Sequence, residues 1–510
     1  MMFRKSPTSR PQDLFSGFDV HLGEPKRKKL TDPKSWQNVF HKHVTSEIDE
    51  DLFSVLYSSD RGRPNAPVRT LAAMLILKES CGWSDEKLFE QCEFNLLAMR
   101  ALGFSNLHDE VPVPSTYYLF KKLLYKYQIG NGRDLMGETF EKLTKVQAKE
   151  LGVRGDLIRM DSKLIGSNIA NCCRLQHIVG TLRVFWGSLP EAQRQRASQE
   201  DRETLDGFLG QTADQFVYRL TNEEKSASIG EYGQLLQRLL QHYDDLDGDG
   251  RYDQIRRLFD DQFKVIDKSV FEKPPGEIES DSLQSPHDSE AAFSGKANQN
   301  VKGYSLNATE TCDPDNLNLI TNVLVEPANH SDQHCVAPAI EATEAAVGPI
   351  LEASMDGAYY NPSNADLAEE NDKQFHFGGM QGTPSRYSYE RTPDGLQVID
   401  TSTDAVAPAI EYKPGHYRAD LPGRRKPYYF RESQVKSAER RHKIENLPVE
   451  IRRRRNNVEA TLFQLCYFTR NNKTRYRGLR QHRLWAVCRA AWINVVRIVN
   501  YLAPRQPATA

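Results

Sequence analysis

Apolar residues recur at helical spacing from about residue 46 to 150, in Leu52, Val55 and Leu56 and again in Leu71, Met74, Leu75 and Leu77. Gly82-Trp83 interrupts the pattern, and Ser84 with Lys87 brackets a new helix start. Pro112-Val113-Pro114 resets the chain once more, leaving Ser115 or Thr116 to cap a helix through Tyr118, Phe120, Leu123 and Leu124. The spacing predicts a compact all-α domain over 46–150. Residues 1–45 are polar, carry the basic spot Lys26-Arg27-Lys28-Lys29, and read as a flexible arm.

The pattern then changes. Residues 155–171 read as a strand and a turn, and 174–270 as helical and acidic, as in Leu235-Leu236 and Leu239-Leu240. Val301–Ala308 and Leu319–Val325 read as strands, residues 333–347 as a helix, and Pro349–Met355 as a run leading into Asp356. Helix returns from Arg431 to Cys466 and from Gln481 to Leu502. This order predicts an α/β fold with a mixed-sheet core formed by 151–173 and 271–470, interrupted by a helical acidic insertion at 174–270. Residues 471–510 form a basic C-terminal helix on this reading. Segments 271–300 and 381–425, rich in Gly, Pro, Ser and Asp, are expected to be flexible.

Composition narrows the classes. Hydrophobic content of 39% and charged content of 27% describe an ordinary water-soluble chain. No apolar stretch approaches the roughly 18 residues that span a bilayer, and the N-terminus has no secretory pattern. A cytoplasmic protein without membrane partners is expected. The eight cysteines form no C-x-x-C pair, which points to reduced thiols. Net charge is −2, yet residues 413–510 hold 23 Lys and Arg against 6 Asp and Glu, a local +17. A charge block of that size suits a polyanion, in practice nucleic acid.

Three acids stand in telling settings. Asp161 ends Leu157-Ile158-Arg159-Met160, Asp356 ends the run through Met355, and Glu459 follows Arg452-Arg453-Arg454-Arg455 in a helical pattern. Two carboxylates at strand ends and one on a basic helix suit two divalent cations held against a phosphodiester. An aspartate after an apolar strand is more often a turn former. On a helix, Arg452, Arg455, Glu459 and Cys466 share a face, with Leu462 and Phe463 placed to anchor it. Lys121, Lys122 and Lys126 lie on the last helix of the N-terminal domain, either on DNA or as a solvated face. Asp245–Asp253 matches the first nine positions of a calcium loop, but Arg256 stands where the twelfth-position glutamate belongs. An acidic, glycine-rich turn is the expected reading there.

Met160-Asp161-Ser162-Lys163, Met355-Asp356-Gly357-Ala358-Tyr359 and Asn457-Val458-Glu459 with Arg477-Gly478-Leu479 resemble the motifs of the DDE transposases of bacterial insertion sequences. Val68–Leu75 with Asp60–Pro64 looks like that family's end-binding domain. The resemblance implies an RNase H-like catalytic core with Asp161, Asp356 and Glu459 as catalytic and metal-binding residues for two Mg or Mn ions. It implies a homodimer or higher synaptic complex on double-stranded DNA, at terminal inverted repeats and target. Arg452, Arg455, Lys473, Arg477, Arg480, Lys121 and Lys122 are the candidate DNA contacts. In the family's pattern Arg452 stands for a tyrosine and Cys466 for a lysine, whose charge Arg470 or Lys473 would supply. A non-catalytic, transposase-derived DNA-binding regulator is the alternative.

Overall fold

Five strands form the centre of the computed structural model, which describes residues 1–6, 17–18, 20–296, 299–379, 385–393 and 395–503. They are β1 (Leu157–Gly166), β2 (Gln299–Thr311), β3 (Ile320–Pro327), β4 (Glu352–Asp356) and β5 (Gln374–Gly378). Their order is β3-β2-β1-β4-β5. β1, β2 and β3 are antiparallel, whereas β4 runs parallel to β1 and β5 parallel to β4. A further strand, Ala292–Lys296, pairs with the start of β2.

Alternation along β1 sorts its side chains between the two faces. Ile158 and Met160 join Ala353 and Met355 in a core closed by the helix Val336–Val347. Arg159 and Asp161 therefore point to the other face, which the helix Val449–Leu465 crosses.

The C-terminal helix Leu479–Leu502 ties this sheet to the N-terminal helices. It packs on β3, on Val68–Ser80 and on Leu135–Leu151. Val68–Ser80 is buried nearly all round, as its unbroken apolar run requires. Residues 24–43, expected within a flexible arm, form the helices Glu24–Thr31 and Trp36–His43. Phe40 is fully buried, and Trp36 meets Trp492 edge-on at 5.7 Å between ring centroids. Burying these aromatics outweighs the polar composition around them.

The insertion has its own core beneath helices from Arg174 to Gln262 and ends in the hairpin Phe263–Ile266/Ser269–Glu272. Two expectations of flexibility need correction. Ser282, Gln284, Ser285 and Asp288 in the segment after the hairpin are buried. Residues 387–431 form a five-stranded antiparallel meander whose core takes Val435 from the helix Glu432–Glu445. Residues 297–298, 381–384 and 394, also within the stretches expected to be flexible, lie outside the described residues. The single helix expected from Arg431 to Cys466 is two helices, separated where Pro448 leaves no amide to donate.

Candidate functional site

β1 and β4 pair as Leu157–Glu352, Ile158–Ala353 and Arg159–Ser354. Two residues further along each strand, Asp161 and Asp356 come level on neighbouring parallel strands and face the same side. The paired ladder ends at Arg159–Ser354, so the two aspartates stand just past it as hard oxygen donors on one side of the sheet. Asp161 Oδ1 accepts from the Ser162 amide at 2.8 Å, and Asp356 Oδ1 from the Gly357 amide at 2.7 Å. Beneath β1, Ser162 Oγ donates to Asp332 at 2.7 Å and the Tyr359 hydroxyl to Asn307. Burial first, then the charges of Asp332 and Asp161, pushes the Tyr359 phenol well above its ordinary pKa, so it stays a neutral donor.

Glu459 lies on the helix that crosses this face, with its side chain exposed. Val458, Leu462 and Leu465 seat the helix, whereas Phe463, expected to anchor it, is 62% exposed. Polar ties fix its position. Arg159 donates to the Arg454 carbonyl at 3.1 Å, Arg454 to Glu352 at 2.8 Å, and Thr461 to the fully buried Glu310 at 2.7 Å. The side chains of Arg452 and Arg455 lie outside the described part. Arg453, from the same arginine run, lines a cavity of about 400 Å³ together with Asp356 and His376.

Among the described residues no three His, Cys, Asp or Glu side chains are grouped so as to hold a metal ion. The two aspartates are brought together; Glu459 is brought onto their face of the sheet without joining them in such a group. Cys466 is buried, and burial pushes its thiol up to about 11 against the opposing charges of Lys163 and Arg489. Lys163 shares the Asp161 face of β1, and its charge acts on the Cys466 thiol. Strand alternation could have pointed to Lys163 from the sequence. Lys473 Nζ donates to the Ile169 carbonyl at 2.6 Å.

The other candidate DNA contacts converge across the fold. Lys121, Lys122 and Tyr125 from the helix Pro114–Asn131 line a groove of about 320 Å³ with Arg477 and Arg480. Arg480 lies 5.7 Å from the Tyr125 ring centroid. The rest of the C-terminal helix is less available than its charge implies. Arg489 donates to the Leu465, Glu79 and Ser80 carbonyls, and Arg497 to Glu310. Those cations hold the fold.

The calcium-like stretch is an arginine-braced turn. Asp245 takes both arms of Arg196 at 2.8 and 2.9 Å, and Asp247 pairs with Arg256 at 2.6 Å. Asp249 caps the helix Gly250–Gln262.

Residues 27–123 match the family described as Transposase domain (DUF772). The match includes Lys121 and Lys122 and supports a transposase as the class of protein. No curated protein and no solved structure matches the chain. No helix among the described residues is long and apolar enough to cross a membrane.

Proposed function

We propose that the protein is an insertion-sequence DNA transposase that binds terminal inverted repeats and catalyses DNA cleavage and strand transfer. The observation that carries this reading is the level placement of Asp161 and Asp356 on adjacent parallel strands, under the helix that bears Glu459. The mixed order β3-β2-β1-β4-β5 supports an RNase H-like core, and the transposase-domain match supports DNA as partner.

Asp161, Asp356 and Glu459 would hold two magnesium or manganese ions; all three offer the oxygen ligands such ions prefer. When bound, the ions would activate the attacking oxygen and stabilise the leaving one. The protein's own part is placement. Glu310, Arg159 and Thr461 hold the glutamate helix against the sheet, while Arg453 offers a cation beside Asp356 for the scissile phosphate. The groove of Lys121, Lys122, Arg477 and Arg480 would follow the flanking duplex backbone. Synapsis of two ends calls for at least a dimer.

The test is cleavage of labelled DNA carrying the element's own ends, with magnesium or manganese. Asp161→Asn, Asp356→Asn and Glu459→Gln should each lower cutting by on the order of 100-fold or more while DNA binding persists. Normal cutting by either aspartate variant would refute the assignment. Binding without cutting by the unaltered protein would establish the regulator instead.

A further inference from the structure

Arg477 stands where two cavities meet. One is the groove with Lys121, Lys122 and Arg480; the other, of about 880 Å³, opens between the C-terminal tail and the insertion. The insertion as a whole is acidic, with 13 Lys and Arg against 17 Asp and Glu over residues 174–270. Its wall on this side is different. Arg251 and Arg257, from the helix Gly250–Gln262, face the cavity beside His287 and Arg477.

The hydrogen bonds of these arginines go mainly to neutral oxygens. Arg251 donates to the Pro286 carbonyl and to Gln254, each at 3.1 Å, and Arg477 to the Asn168 carbonyl at 2.7 Å. Arg257 donates to the Ser289 carbonyl at 2.6 Å and lies 3.9 Å from Asp261. Carbonyl anchors fix a guanidinium without cancelling its charge. The two carboxylates on the cavity wall are turned to the backbone: Asp249 accepts from the Arg251 amide at 2.9 Å and Asp253 from the Gly248 amide at 3.3 Å. Burial, then the charges of Arg477, Arg251 and Arg183, depresses the His287 pKa, so three arginine fields overlap at one point.

We propose that this cavity is a phosphate-backbone subsite for double-stranded DNA, by which the insertion grips the duplex that also lies along Lys121, Lys122 and Arg480. The inference rests on the DNA-processing reading above and adds a contact from a part of the chain whose composition argues against one. Arg251 is exposed on the insertion side, and Arg477, also exposed, joins the two stretches of the path.

The experiment is fluorescence anisotropy of the full chain with a labelled duplex of about 40 base pairs over a range of salt concentrations. Arg251→Gln should weaken binding several-fold and lower the slope of log K against log salt by about 1. Arg251→Lys should restore the slope. Arg256→Gln, on the same helix but paired with Asp247, should leave affinity and slope unchanged. If the unaltered protein binds duplex and Arg251→Gln binds with the same affinity and slope, the subsite is refuted while the DNA reading stands. An Arg256→Gln loss as large as that of Arg251→Gln would also refute it, since the effect would then be one of overall charge. If the unaltered protein binds no duplex, the transposase reading fails and the subsite with it.

Discussion

Arg159 donates from Nε to Glu310 at 2.6 Å, and Glu310 is fully buried between β1 and the helix that carries Glu459. Arg497 donates to the same carboxylate at 2.6 Å and Thr461 at 2.7 Å. One anion thus satisfies two arginines and pins the helix to the sheet. Glu310→Ala leaves both guanidiniums without that charge in a largely dry site. It should destabilise the fold by about 3–5 kcal/mol, the usual result of breaking a buried pair from one side. The midpoint of urea unfolding measures this, and an unchanged midpoint would show that the network is dispensable.

Gly357 directly follows Asp356, and a Cβ there would lie 2.3 Å from the Gly379 carbonyl oxygen. Backbone cannot move aside as a flexible side chain can. Gly357→Ala should cost about 1–3 kcal/mol and should lower metal-dependent cleavage further, because the strand end that aims Asp356 must shift. Thermal unfolding and cleavage measured on the same preparation separate the two effects.

His177 is buried on the insertion helix Arg174–Ser188, where burial and then the charge of Lys302 lower its pKa to about 4. The folded value lies below the ordinary 6.5, so the unfolded chain binds the proton more readily between those limits. The stability this group contributes is complete above pH 6.5 and is lost as pH falls towards 4. About 3 kcal/mol should disappear across that window. His177→Leu should flatten this part of the stability–pH curve; a curve of unchanged slope would assign the loss to other groups.

Cys466→Lys introduces the residue that the resemblance to DDE transposases implies here, yet it should weaken this protein. It would bury a cation where Lys163 and Arg489 already exert positive charge. A loss of about 2 kcal/mol or more is expected, read as a lowered unfolding midpoint. Lys163→Met, in contrast, should reduce end cleavage with little loss of stability.

Lys122 is exposed on the rim of the groove that Arg477 and Arg480 complete. Lys122→Ala should weaken binding to unrelated duplexes by the same factor and lower the salt slope by about 1, as expected for a phosphate contact. A change in sequence preference would assign it to base readout instead.

Much of this arrangement was legible in the chain itself. The strands holding Asp161 and Asp356 were readable from their apolar runs. Asp161, expected at a strand end, nevertheless lies mid-strand, because pairing with β2 carries the strand on through Ser162 and Lys163 to Gly166. The helix holding Glu459 was readable from its period, and Pro448 could have marked its start. The meander at residues 387–431 was not readable: its strands are short, broken by Gly and Pro, and stabilised by pairing with one another. The helices at 24–43 were missed because few of their residues are apolar, and those few bury against Trp492, far along the chain.

The sequence by itself determined which residues could carry the chemistry, since residue type and local spacing settle donor character and element type. Only the tertiary structure decided what meets what. Asp161 and Asp356 come level through a register set between strands that the whole insertion separates in sequence. Lys121 and Lys122 share a groove with Arg477 and Arg480 because the C-terminal helix packs back onto the N-terminal ones. Part of the apparent DNA-binding charge, as at Arg489 and Arg497, turned inward to buried acceptors. A composition count cannot see that division: a guanidinium binds outward or inward according to which oxygen the folded chain places before it.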